Sequence, residues 1–341
     1  MDKFLSLSAK DKRTYFEVSA ASLNIMPQLI EKDFWVCWIL KALFSLPEAG
    51  THLTFKGGTS LSKCYNVIRR FSEDIDISIE RPFLSATKPI EPGKDRSNKE
   101  NQKRLKELQE TCKAKIGAVI VPELERAIAE VLPDKKEWNL ALDKDAADGQ
   151  TVLFTFPHAI MSSAESYVKS SVKIEFGARS DHWPVEILPL VPYITNVPGE
   201  RVVEEFTVRV LAAERTFWEK ATILHMICHR PAEKTVPPRM SRHYYDIYAM
   251  AGSPIYKKAL KHISLLKDVA EHKAIFFRDT KAHYEEATTA GLRLLPREDQ
   301  MATLKNDYRQ MQQMFFEEPP VFERIIEKLR MLEKEIKGIK Q

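Results

Sequence analysis

An α+β fold is predicted, with a mixed sheet in the core and a helical region after it. Three observations carry this. A strand, a glycine turn, a helix and a second strand follow one another between Leu53 and Ile79. Period-two alternation of apolar residues, the mark of a half-buried strand, returns at Thr151–Phe156, Val168–Phe176 and Val185–Leu188. From Ala212 to His229 the apolar period becomes helical, and the chain after Arg239 stays mostly helical. The plan is an α+β nucleus over about 20–210, so that residues 1–210 form one region with N-terminal helices, and 211–341 a helical C-terminal region.

In chain order, Ile30, Phe34, Cys37, Leu40 and Phe44 recur at helical spacing between Pro27 and Pro47, giving an amphipathic core helix. Leu53 and Phe55 lie in a strand that ends at Gly57-Gly58, and Thr59 or Ser60 caps a helix through Leu61 and Ile68. Ile75, Ile77 and Ile79 alternate with Asp74, Asp76 and Ser78 in the next strand. Pro82–Ser97 reads as an exposed loop. Near 98–131 a long helical insertion carries an apolar stripe through Leu105, Leu108, Cys112 and Ile116, and Pro122 breaks or kinks it. A further break falls at Asp143–Gln150.

Composition is that of an ordinary soluble globular protein, with 44% apolar and 29% charged residues among 341. The four cysteines (Cys37, Cys64, Cys112, Cys228) show no CxxC pair and no zinc spacing, so a reduced cytoplasmic protein is expected, with the thiols as core filler. No leader is evident at the start, and the most apolar stretch, Phe34–Leu46, is too short to span a bilayer, so no membrane association is expected. A net charge of +4 permits a polyanionic partner without demanding one.

Asp74-Ile75-Asp76 is the central chemical feature. Alternation along a strand points both carboxylates to one face, roughly 6.5–7 Å apart, while the isoleucines fill the core on the other. Such a pair suits divalent cations, which in two-metal sites lie about 3.5–4 Å apart and need hard oxygen ligands. In Val172–Phe176 the same alternation leaves Lys173 and Glu175 together on one face. If that strand neighbours the first, Glu175 completes a three-carboxylate cluster and Lys173 adds charge for phosphate. Taken alone, Asp-x-Asp pairs are common and mostly form solvated strand faces. The upstream turn makes the pairing more specific, because Gly57-Gly58 lets backbone approach a phosphate and Thr59 and Ser60 bring hydroxyl and N–H donors.

These residues resemble the AbiEii/AbiGii-type nucleotidyltransferase toxins, a family that includes the MenT toxins. The resemblance rests on Glu31-Lys32-Asp33-Phe34-Trp35-Val36, Phe55-Lys56-Gly57-Gly58-Thr59-Ser60-Leu61 and Arg70-Phe71-Ser72-Glu73-Asp74-Ile75-Asp76-Ile77. Two later stretches are Glu214-Arg215-Thr216-Phe217-Trp218-Glu219-Lys220 and Arg242-His243-Tyr244-Tyr245-Asp246-Ile247-Tyr248. It implies a DNA polymerase β-like nucleotidyltransferase core, followed by a helical C-terminal region that contributes to the active site. The implied activity is transfer of a nucleoside monophosphate from an NTP with Mg²⁺ (or Mn²⁺) as cofactor, in some members onto the 3′ end of tRNA. A toxin–antitoxin or phage-defence setting, with a cognate antitoxin, is implied as well. By match of position the resemblance makes Asp74 and Asp76 metal ligands and Lys220 and Asp246 the later active-site pair. Lys56, Gly57, Gly58, Thr59, Ser60 and Lys173 are the expected nucleotide-binding residues. The stretch between the glycine turn and Asp74 is longer than in shorter relatives of the superfamily, so the phosphate-binding hydroxyl is left open between Thr59 and Ser60.

Several residues admit a plainer reading. Lys220 falls beside the apolar stripe of Phe217, Ala221, Leu224 and Cys228, where it either snorkels to water or meets a phosphate or Asp246. Asp246 has Arg242 four residues earlier, the spacing of an exposed helical ion pair. Tyr244, Tyr245 and Tyr248 pack in a core or stack on a base, core packing being the simpler. Lys56, Lys63, Arg69 and Arg70 flank the site and suit steering of triphosphate or RNA, although Arg70 equally suits an anchor to Glu73. His225 and His229 lie one helical turn apart without a glutamate after the first, and read as ordinary helix residues. Two further functional readings compete with transfer to RNA: AMPylation-type modification of a protein, and a non-catalytic nucleotide- or RNA-binding module.

Overall fold

The computed structural model describes residues 1–85, 90–146, 149–160, 171–196 and 203–339. Of the predicted elements, Val168–Ser170 of one strand, 86–89 of the loop and 147–148 of the break lie outside the described residues. Two compact units emerge. The first comprises 1–64, 71–91 and 102–211, and the second 65–70, 92–101 and 212–341.

The first unit is built on a seven-stranded mixed sheet. Its strands are β1 (Leu53–Lys56), β2 (Ile75–Ile79), β3 (Asn139–Leu142), β4 (Thr151–Thr155), β5 (Ser171–Gly177), β6 (Val185–Leu190) and β7 (Phe206–Leu211). They lie in the order β3-β4-β5-β2-β1-β7-β6. Pairing is parallel for β2 with β5 and β1 with β7, and antiparallel elsewhere. Register places Ile75 beside Ile174 and Ile77 beside Phe176, so one face of the sheet is continuous core, with Ile75, Ile77, Ile79 and Ile174 fully buried.

The helices of this unit are α1 (Asp2–Leu5), α2 (Ala9–Leu23), α3 (Pro27–Phe44), α4 (Gly57–Lys63), α5 (Arg81–Leu84), α6 (Asn98–Lys115), whose first turn belongs to the second unit, and α7 (Val121–Val131). Helix α3 is buried nearly all round, as a helix enclosed by a core must be. It sets Trp35 in stacked contact with Phe156 at 5.4 Å and edge-on to Phe154. Between α6 and α7 the chain passes through one π-helical turn, Ile116–Ile120, directly before Pro122. Proline has no N–H to give the preceding turn, and the wider turn absorbs that gap, so the predicted break is a local change of helical pitch. The exposed loop predicted from Pro82 starts instead inside α5, which buries Leu84. The strands β3 and β7 have no counterpart among the predicted elements.

The second unit is helical: α8 (Ala213–His229), α9 (Ser241–Ala251), α10 (Pro254–Lys261), α11 (Ser264–Phe276), α12 (Glu298–Gln310) and α13 (Phe322–Lys337). Helix α8 packs on α9, α10 and α11, and α9 on α12 and α13. The segment 65–70 is tied into this unit by a bridge between Arg70 and Phe315 and by the Phe316 N–H, which donates to the Arg69 carbonyl at 3.1 Å. Among the described residues no helix is long and apolar enough to cross a membrane.

Candidate active site

The polar face of the sheet opens where β1 ends and β2 begins. Asp76 lies directly across from Lys56 on β1 and from Glu175 on β5. Adjacent strands are about 4.8 Å apart, so the two carboxylate-bearing backbones are neighbours although nearly a hundred residues separate them in sequence. Glu175 is held by Lys173 in an ion pair on the same face. Burial works against the Lys173 charge, but Glu175, with Asp74 and Asp143 at longer range, outweighs it and raises the lysine pKa.

Gly57 shapes this place. Its φ is +79°, and a Cβ there would lie 1.9 Å from Asp76 Oδ2 and 2.8 Å from Asp76 Cγ. The glycine therefore serves two needs at once, a left-handed backbone and room for the carboxylate. Gly57→Ala is expected to displace Asp76 and to cost about 1–2 kcal/mol from the backbone alone, read as a lower urea midpoint at unchanged m-value.

The turn's hydroxyls are employed inside it. Thr59 Oγ1 donates to the Asp74 carbonyl at 2.5 Å and lies 2.9 Å from Ser72 Oγ, bracing the chain that leads into β2. Ser60 Oγ donates to the Gly57 carbonyl at 2.9 Å. Gly58 sits half-buried in the first turn of α4. Lys56 Nζ donates to Ser180 Oγ at 2.9 Å.

Three consecutive charges on α3 are buried and fasten the surroundings of the site, a role that the sequence reading left unassigned. Lys32 pairs with Glu73 at 2.5 Å, one residue before Asp74. Asp33 pairs with Lys63 at the end of α4 at 2.7 Å and accepts from the Tyr193 N–H at 2.7 Å. Glu31 accepts from the Ala159 and Ile160 N–H groups. Lys63 is thus a buried anchor, with its Nζ also 3.5 Å from the centre of the Tyr193 ring, and is not available for steering. The signal was present: charges set inside an apolar helix must find partners.

In the helical unit, Asp246 is fully buried and receives two bonds from Arg70, Nε to Oδ1 and Nη2 to Oδ2, both 2.8 Å. Lys220 Nζ lies 2.8 Å from Asp246 Oδ2 and 3.5 Å from His243 Nδ1. The plainer reading of Asp246 is thereby corrected: it stands in a buried cluster with Arg70 and Lys220 and not in an exposed helical pair, because a forked guanidinium matches a carboxylate well. Burial alone would raise the Asp246 pKa, but Arg70 and Lys220 outweigh it and hold the carboxyl well below the usual carboxylate range. Burial lowers the Lys220 pKa, with Asp246 opposing and Arg70 assisting. Tyr244 and Tyr245 are core residues.

Burial, then Lys220 and Arg242, push His243 well below its ordinary value, with Asp246 opposing and Arg70 assisting. The folded chain refuses a proton that the unfolded chain accepts below a pH of about 6.5, so this histidine's contribution to stability falls as the pH drops through that value. His225 and His229 are lowered too and act in the same direction. The urea midpoint is expected to be lower at pH 5.5 than at pH 7.5, and His243→Asn, which keeps an acceptor for Lys220, should flatten part of that slope.

Asp76 and Glu175 are hard oxygen donors paired across β2 and β5, and Asp74 stands immediately before β2, close enough to act on the Lys173 charge. The space that Gly57 leaves for the Asp76 carboxylate, together with this donor chemistry, fits Mg²⁺.

No curated protein matches by sequence. Among solved structures, the chain is similar to MenT4, a nucleotidyltransferase toxin from Mycobacterium tuberculosis H37Rv, with 16% identity and a TM-score of 0.42 over 95% of this chain and 98% of that one. The family model described as nucleotidyl transferase AbiEii toxin, type IV TA system, matches residues 38–328, which takes in β1, the glycine turn, both aspartates, Lys220 and Asp246. The chain therefore belongs to the AbiEii nucleotidyltransferase toxin family of type IV toxin–antitoxin systems.

Proposed function

We propose that the protein transfers a nucleoside monophosphate from an NTP to the 3′ end of tRNA. The observation that carries the transferase reading is the glycine turn built around the Asp76 carboxylate, with Glu175 in register beside it. Asp74 and Asp76 would hold Mg²⁺, with Glu175 as third ligand, and bound Mg²⁺ neutralises triphosphate charge. Thr59 and Ser60 keep the turn and the Asp74 backbone in place, so phosphate contact from this turn falls to its backbone N–H groups. Lys173 and Lys56 supply positive charge on the same face. Within the helical unit Asp246 positions Lys220, whose role toward the phosphates rests on the family resemblance alone.

In the reaction an acceptor hydroxyl oxygen forms a bond to the α-phosphorus. The bond from that phosphorus to the bridging oxygen breaks, pyrophosphate departs with the electron pair, and the hydroxyl proton passes to solvent. Such a step needs positioning and electrostatic stabilisation more than covalent participation by the protein. The toxic outcome and an antitoxin partner rest on the family, and the tRNA acceptor rests on the resemblance to members that modify the 3′ end of tRNA.

The test is incubation of purified protein with total tRNA and each α-³²P-labelled NTP, with Mg²⁺ or EDTA. Label on tRNA that requires Mg²⁺ is expected, and it names the nucleotide. Label on a protein band instead would replace the tRNA acceptor with a protein side chain, and no label in any mixture would overturn the transferase reading.

A further inference from the structure

At the C-terminal end of α8, within the helical unit, three histidines and a glutamate gather. His225 is committed on both sides: its Nδ1 accepts from the Arg293 N–H at 3.1 Å, so Nε2 carries the proton and donates to the His283 carbonyl at 2.9 Å. That bond fixes the backbone of His283, which stands in the left-handed region (φ 50°) at the head of the short turn Tyr284–Glu286. One helical turn beyond His225, the His229 ring lies 4.4 Å from that of His225 and stacks on that of His283 at 4.7 Å. His229 Nε2 is buried and has no hydrogen-bond partner among the described residues. His283 Nδ1 sits 3.0 Å from Glu286 Oε1. One ligating atom from each of His229, His283 and Glu286 falls within 4.8 Å of the others.

We infer that His229, His283 and Glu286 form a binding site for a zinc-class transition-metal ion, with His225 as the residue that holds His283 in place. The donor set of two imidazoles and one carboxylate selects Zn²⁺, Co²⁺ or Ni²⁺ over Mg²⁺, and three protein ligands leave a fourth position for water. Bonds of about 2.0–2.1 Å place tetrahedral ligand atoms roughly 3.3 Å apart, so closure needs only small rotations of the two partly exposed side chains, His283 and Glu286. A bound ion would give the orphaned His229 nitrogen a partner; a buried polar atom without one costs about 1–3 kcal/mol. The cationic neighbours are themselves engaged. Arg297 binds Asp299 and the Cys228 carbonyl, and Arg293 faces Glu333 at 3.7 Å. The fastening of the His225 ring by two backbone groups is the arrangement expected of a residue that orients a ligand without being one.

The experiment is a titration of the full chain with Co²⁺, followed by its visible ligand-field absorption, with Zn²⁺ as competitor and the melting temperature as a second readout. One equivalent of Co²⁺ should bind with tetrahedral bands, and Zn²⁺ should displace it and raise the melting temperature. His283→Gln and Glu286→Gln should each weaken binding about tenfold or more. They lie on a surface turn and carry the test should His229→Gln fail to fold. Asp76→Ala should bind Co²⁺ as the unsubstituted chain does. Absence of ligand-field bands, unchanged affinity in His283→Gln, or binding lost in Asp76→Ala but kept in the histidine variants would overturn the site.

Discussion

Replacing Asp76 by alanine is expected to abolish nucleotide transfer while leaving the protein folded. The carboxylate is half-buried on the polar face of β2, at the strand position beside Glu175, and its removal leaves the isoleucine face of the sheet intact. Stability should therefore change by no more than about 1 kcal/mol. Activity should fall by about 10³-fold or more, since on the proposed reading loss of one cation ligand forfeits several kcal/mol of charge stabilisation and each 1.4 kcal/mol is about tenfold. Asp76→Asn, which keeps the shape and removes the charge, should lose nearly as much, which separates charge from packing. The measurement is labelled-nucleotide transfer under saturating Mg²⁺, with the melting temperature as control for folding. An Asp76→Ala enzyme of full activity would remove the catalytic role of this face altogether.

The local half of that site was legible in the sequence. Period-two alternation is a backbone property, so the faces of β2 and β5 follow from Ile75, Ile77 and Ile79 and from Val172, Ile174 and Phe176 alone. That the two strands are neighbours does not. Parallel pairing across nearly a hundred residues is encoded in no local pattern, which is why Glu175 stood as a conditional expectation. The same limit explains Arg70 and Asp246. Each has an acceptable ion-pair partner close in sequence, Glu73 and Arg242, and the pair they form joins residues far apart in the chain. Short β3 is almost wholly exposed and too brief to give a period. In β7 the run Phe206-Thr207-Val208-Arg209-Val210 does alternate, so that strand had a legible signal that the sequence reading missed.

The buried charges on α3 show the converse case. Glu31, Lys32 and Asp33 stand in the sequence as a motif without a role, yet they sit inside a helix whose buried residues number 13 of 18. A charge so placed is costly unless paired, so partners had to exist. Those partners are Glu73 and Lys63, at the two ends of the segment that joins the glycine turn to Asp74. The motif therefore stabilises the approach to the strand that carries Asp76, and its contribution is to geometry.

Asp246→Ala should be the most destabilising of the single substitutions considered. It leaves the Arg70 guanidinium, 2% exposed, and the Lys220 ammonium, 7% exposed, without the carboxylate that both bind. Breaking a buried ion pair from one side costs about 3–5 kcal/mol, a large share of a typical folding free energy. The order of the triad follows from its geometry. Lys220→Met leaves Asp246 with both Arg70 bonds and should cost least, whereas Arg70→Met removes the forked pair and leaves only the lysine. Linkage adds an independent check. The folded Asp246 pKa is depressed, so its contribution is fully present above the unfolded value of about 3.9 and is lost as the pH falls below it. The acid limb of the wild-type stability curve should accordingly be steeper than that of Asp246→Ala, measured by urea denaturation between neutral and acid pH. A loss below about 1 kcal/mol, with matching acid limbs, would mean that water reaches the triad. Lys220→Met then separates the chemical role from the structural one, since Arg70 still neutralises Asp246 in that variant. Loss of transfer with a nearly unchanged urea midpoint places Lys220 in the reaction, and retention of both reduces it to a buried cation held for charge balance.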